Sequence, residues 1–190
     1  MDELPEAGEV ARLRSPAQVE ALLARTDVAS APVEWWEVLL SVCNTGLVST
    51  ESGAADGREW GAAFVRALDR ARETGALKPE QTLPRKLTAQ AAILHYFGAS
   101  AEDPVRDPER MFAGFLDDIG VSRDALLRER DELRAKLAAR PGDPALLPEA
   151  VRMSRLKDAL GSLGTIAGHI ADPSLRREAE EWSALAARPA

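Results

Sequence analysis

Residues 84–98, PRKLTAQAAILHYFG, decide the fold class. Proline opens the stretch and glycine closes it, which is how a helix starts and stops. Proline's missing N–H falls among first-turn donors that have no partner anyway, and glycine enters the left-handed conformation of a helix end without strain. Between these marks Leu87, Ala91 and Leu94 form a stripe at three- to four-residue spacing, while Ile93, Tyr96 and Phe97 project elsewhere. The only charges, Arg85 and Lys86, sit in the first turn. A helix that is apolar on nearly all sides must be covered on nearly all sides, so this one belongs at the centre of other helices.

The same punctuation runs outward in both directions. Ser15–Pro16, Ala31–Pro32, Asp107–Pro108, Asp143–Pro144, Leu147–Pro148 and Asp172–Pro173 each place proline where a first turn tolerates it, and Gly46, Gly75, Gly98 and Gly120 stand where helices should stop. Helices are expected near 5–13, 16–26, 32–44, 57–74, 84–97, 108–118, 123–140, 148–171 and 173–187, with long loops at 47–56 and 99–107. No segment alternates with the period of a strand. The helix at 32–44 is again apolar on several faces, with Trp36, Leu39, Leu40 and Cys43 together and Trp35, Val38 and Val42 apart from them. At 57–74, Trp60, Phe64, Ala67, Leu68 and Ala71 share one face and Glu59, Arg66, Asp69, Arg70 and Glu73 the other.

The C-terminal third predicts an antiparallel hairpin. Leu126, Leu133 and Leu137 point inward on its first helix, behind a Ser122 N-cap stapled by Val121, with Asp124–Arg128 and Glu132–Lys136 as ion pairs on the wet side. Pro141–Gly142–Asp143–Pro144 turns the chain, and Leu156, Leu160, Leu163, Ala167 and Ile170 return at the 4-3-4-3 spacing of a coiled-coil seam. The expected fold is all-α: a single bundle of about seven to nine helices, residues 31–190, preceded by an acidic helical arm at 1–30.

At 190 residues with 45% hydrophobic and 29% charged side chains, the chain can bury a sizeable core. The net charge of −7 is concentrated: residues 1–40 hold eight acidic residues against three arginines. A nucleic-acid binder shows a basic stripe, and none is visible; the first 45 residues also lack a recognisable helix-turn-helix. Nucleic acid is therefore an unlikely partner, and a protein partner with a basic surface fits the acidic arm better. No apolar run reaches the roughly 20 residues that span a bilayer, and the acidic start lacks the order of a signal peptide. With Cys43 alone there is no disulfide. These features point to the cytoplasm, and arginine's excess over lysine with abundant alanine is the bias of a GC-rich bacterial genome.

Few residues could carry chemistry. Two histidines and one cysteine without metal-ligand spacing make no common zinc site, and neither a metal nor a cofactor is expected. The pair Asp117–Asp118 has no second acidic cluster to complete a magnesium site and reads as a solvated helix end. Nucleophile elbows and phosphate loops are absent. His95 and Tyr96 could orient a polar substrate, although adjacent helical residues point about 100° apart; the plainer reading is a flanking histidine and a tyrosine whose hydroxyl reaches water. His169 lies away from the leucine seam. Trp35 and Trp60 could line a pocket or simply fill the core. Gly161, Gly164 and Gly168 share an arc beside the seam, which suggests close approach of a ligand, a partner helix or a third helix of the same bundle.

Two functions remain open from the sequence. One is a non-catalytic binding module, an adaptor, regulator or complex subunit working through protein contacts. The other is a small-molecule binder or cofactor-independent enzyme with a central pocket lined by Trp35, Trp60, His95 and Tyr96.

Overall fold

The computed structural model describes residues 4–49 and 54–187. Among them the chain is all-α, with nine helices: α1 (Ala7–Val10), α2 (Pro16–Leu23), α3 (Val33–Val48), α4 (Ala54–Glu73), α5 (Pro79–Phe97), α6 (Pro108–Ile119), α7 (Arg123–Ala139), α8 (Leu147–Ala167) and α9 (Pro173–Ala187). Short 3-10 turns at Asp27–Ser30 and Pro144–Leu146 lead into α3 and α8. No helix among the described residues is long and apolar enough to cross a membrane.

The central helix is the one expected. α4, α6 and α8 all pack on α5, which buries Leu83, Leu87, Ala89, Ile93 and Leu94. α3 packs along α4, and α9 lies along α8. Phe112 and Phe115 of α6 stack with centroids 6.0 Å apart, and Phe115 meets Trp182 of α9 edge-on at 5.2 Å. Such aromatic pairs contribute about 0.5–1.5 kcal/mol beyond the area they bury.

Local signals place most boundaries. Ser15 caps α2 in a reciprocal box with Gln18, an arrangement worth about 1 kcal/mol. Asp107 accepts from the backbone N–H groups of Glu109 and Arg110, and Ser122 from that of Ala125. Gly75, Gly98 and Gly120 all take positive φ beyond their helices. Gly46 does not, which corrects its reading as a helix stop. It lies inside α3, where a Cβ would sit 2.2 Å from the Trp60 ring, so its role is to let α4 approach.

α5 also differs from expectation, starting five residues early at Pro79, with Pro84 inside it. A cap at Lys78, whose N–H donates to Gln81, begins the helix, and burial of Thr82 and Leu83 holds it through the missing donor. The connection expected at 47–56 shrinks because α3 runs to Val48 and α4 starts at Ala54. That near 99–107 is real but tied down. Arg106 donates to the Phe97 carbonyl (2.8 Å) and to Asp103 (3.0 Å), and the Ser100 N–H donates to the Arg106 carbonyl. Against the cost of partial burial, Arg106 and the Val105 N–H hold the Asp103 carboxyl below its ordinary range.

Of the arm expected at 1–30, residues 1–3 lie outside the described residues and the rest is docked on the bundle. Val10, Val19 and Val28 join the common core, the Trp35 indole N–H donates to the Pro5 carbonyl at 2.9 Å, and Glu20 holds Arg66 of α4. The hairpin of α7 and α8 is antiparallel, as the pairs Glu129–Arg152 and Lys136–Glu149 require. The ion pairs expected within α7 do not form; its charges reach to α8 and, through Arg123–Glu181, to α9. The seam of α8 is buried, but mostly against α5 and α9, with little of it against α7.

Candidate functional site

α7 stands off from α8 because of one residue. Leu126, Arg130, Leu133 and Leu137 follow a 4-3-4 register, so Arg130 occupies a seam position that a leucine would fill in a closed hairpin. A guanidinium cannot interdigitate with leucines without desolvating its charge. Its Nε and Nη2 turn to Asp131 (3.1 and 2.8 Å), leaving Nη1 buried with no acceptor among the described residues.

The consequence is an apolar groove of about 260 Å³ between α7, α8 and Leu185 of α9. Leu127, Leu133, Leu137, Met153 and Leu160 line it, and Arg130, Arg134 and Lys157 are the charged residues at its walls. Leu147 and Val151, exposed on the first two turns of α8, extend apolar surface from the same end of the hairpin. The stretch 123–167 carries nine cationic against seven acidic residues, in a chain whose net charge is −7. The groove is thus a locally basic, apolar trough on an acidic protein.

Two other clefts are of comparable interest. A broad trough of about 590 Å³ runs between α3, α5 and α8. Its polar pair Glu37 and Arg85 is closed on itself by two hydrogen bonds of 2.9 and 3.1 Å, and Asn44, Gln81 and Arg155 are further polar groups on its walls. A smaller cleft of about 220 Å³ lies between α4, α5 and α6, beside a charge cluster. There Lys86 bridges Asp69 (2.8 Å) and Asp118 (2.9 Å), and Arg72 also engages Asp118. Burial pulls the Lys86 ammonium's pKa down, but its two carboxylate partners outweigh this and hold it above the usual value.

The residues singled out from sequence fall in different places. Trp35 and Trp36 meet edge-on at 5.1 Å, and Trp60 is pressed onto Gly46; all three fill the core, and Trp35 and Trp60 line none of these clefts. His95 and Tyr96 are exposed at the end of α5, with ring centroids 5.0 Å apart. The four are therefore not gathered round a pocket. His169 is exposed as expected. Of the three glycines, only Gly164 makes a close approach, under Ser183 of α9; a side chain at Gly161 would meet open space, and Gly168 caps α8.

Asp118 corrects the reading of Asp117–Asp118 as a solvated end. Its side chain is 8% exposed inside the charge cluster, and only Asp117 faces water. Cys43 is buried as expected, and burial pushes its thiol pKa up to about 12, so it is not a nucleophile. Among the described residues no group of three or more potential ligands could hold a metal ion.

Sequence reasoning missed the α7–α8 groove, yet an arginine in a leucine seam was a visible signal. It also missed Gly57 and Gly61, whose one-turn spacing lets α4 meet Phe97 and Ile93 of α5. No protein-family model matches the chain, and no curated protein or solved structure does.

Proposed function

We propose that this chain is a non-catalytic binding module that receives an amphipathic helix with acidic flanks in the groove between α7 and α8. The observation that carries this reading is the apolar trough with a buried, unpartnered Arg130 Nη1 at its wall. Helix-in-groove recognition needs a channel for side chains at i, i+3, i+4 and i+7, and the leucines of α7 and α8 supply one. A carboxylate from the partner would give Arg130 Nη1 its missing acceptor, and Lys157 would select acidic flanks over basic ones.

An acidic partner replaces the basic one suggested by the N-terminal charge. Glu20, Asp27 and Glu37 of that segment are already paired with Arg66, Arg25 and Arg85. Three of the eight acidic residues in that segment are thus neutralised by arginines, whereas Lys157 at the groove wall forms no ion pair among the described residues.

The test is fluorescence anisotropy with two helical peptides that share a leucine stripe and differ only in glutamate or lysine flanks. The glutamate peptide should bind, weaken as salt rises, and lose affinity with Leu137→Glu, a half-buried position at the groove. Equal binding of both peptides, or binding of neither, would overturn the proposal.

A further inference from the structure

Arg130 sits off-centre in its groove. Of the α7 row that lines it, Leu126 lies one turn to one side of Arg130, about 6 Å along the axis, and Leu137 two turns to the other, about 10 Å. The antiparallel pairing of Glu129 with Arg152 puts Lys157 opposite the shorter end and Ala150 opposite the longer one. Arg130 itself is only partly engaged. Asp131 takes Nε and Nη2, Nη1 is buried with no acceptor among the described residues, and 21% of the side chain still faces water.

Resting on the groove reading above, we propose that the helix received there carries one carboxylate inside its apolar stripe, and that Arg130 uses it to set the helix's register. Acids in the flanks select for charge; this one, among the anchors, selects for position. A stripe of leucine alone would cover the exposed part of the guanidinium and exchange its remaining water for hydrocarbon, with nothing in return. A carboxylate at the same place gives Nη1 a charge-assisted bond, roughly twice as strong as a neutral one. Nη1 is already stripped of water in the free protein, so that part of its desolvation is met by folding and does not weigh on binding.

A single polar contact in an apolar helix seam specifies register, because sliding the helix by one turn leaves two charges unpaired in hydrocarbon. The off-centre place of Arg130 makes the requirement sharper. In a partner stripe of four positions, the carboxylate must be second if the helix runs one way along the groove and third if it runs the other. Arg130 is thus the residue that determines which amphipathic helices fit.

The test is fluorescence anisotropy of the full chain with three labelled helical peptides. All share glutamate flanks and four stripe positions, filled with leucine alone, with glutamate at the second, or with glutamate at the third. One of the two glutamate-stripe peptides should bind about ten-fold or more tightly than the other two peptides. Arg130→Gln stays polar and so does not fill the leucine row; it should bring the favoured peptide down to the all-leucine level. Asp131→Asn, at an exposed position, removes the competing carboxylate and should tighten the favoured peptide more than the all-leucine one. That second variant decides the matter if Arg130→Gln fails to fold. An all-leucine peptide that binds as tightly as the better glutamate-stripe peptide, or equal binding of the two glutamate-stripe peptides, would overturn the register role and leave the groove reading in place. So would a preference that survives in folded Arg130→Gln, or one that Asp131→Asn does not widen. Binding of none of the three peptides would overturn both.

Discussion

Replacing glycine by alanine inside a helix ordinarily stabilises it, by about 0.5–1 kcal/mol, because alanine loses less backbone freedom on folding. The structure predicts opposite signs for that one substitution at Gly46 and Gly161. At Gly161, on the exposed side of α8, nothing lies within 4 Å of the new methyl, so the full gain of up to about 1 kcal/mol should appear. At Gly46 the methyl would lie 2.2–2.5 Å from three atoms of the Trp60 ring system. That ring is 6% exposed and belongs to the face that joins α4 to α3, so it cannot swing aside as a flexible chain end would. Overpacking a filled core costs about 1–3 kcal/mol. After the helix gain is subtracted, Gly46→Ala should destabilise by roughly 1–2 kcal/mol.

For a domain of this size about 1 kcal/mol moves the melting temperature by roughly 2–4 °C. Gly46→Ala should therefore melt several degrees below the parent and Gly161→Ala slightly above it, as read by circular dichroism at a helical wavelength. Urea unfolding followed by tryptophan emission should rank the three proteins in the same order. The penalty at Gly46 should also shrink when Trp60 is shortened to leucine, since the two residues are in contact and their effects are not independent. A Gly46→Ala protein as stable as Gly161→Ala would refute the close approach of α3 and α4 at this point.

Two further outcomes follow from buried ionisable groups. The Cys43 thiol is held protonated in the fold up to about 12 from an ordinary 9.0, so its contribution is complete below about pH 9 and is lost as the pH rises. Stability should fall by up to about 1.4 kcal/mol per pH unit between those values. Urea midpoints measured on either side of pH 9 should show this loss, and a Cys43→Val protein should lack it. Asp118→Asn should destabilise by roughly 3 kcal/mol, because it leaves Lys86 and Arg72 short of a buried counter-charge. Asp117→Asn, one residue away and exposed, should leave the melting temperature within a degree or so; equal effects at the two positions would contradict the buried cluster.

By itself the sequence determined the helices and the helix at their centre. Caps, prolines, terminal glycines and the 3.6-residue period all act within about four residues, so Ser15, Asp107, Ser122 and Gly120 could be read without knowing what lay beyond them. The near-absence of charge beyond Lys86 likewise placed the helix ending at Phe97 inside the others. Only the tertiary structure decided which faces meet and which are left open. Glu20 and Arg66 are 46 positions apart, and Lys86 and Asp118 are 32; no local pattern announces such pairs. The same holds for Gly46 beneath Trp60, and for Trp35 and Trp60 filling the core while His95 and Tyr96 face solvent. Helix formation is governed by neighbours along the chain, but a groove exists only where packing fails to close. Between α7 and α8 that failure traces to the charge of Arg130 set in a row of leucines.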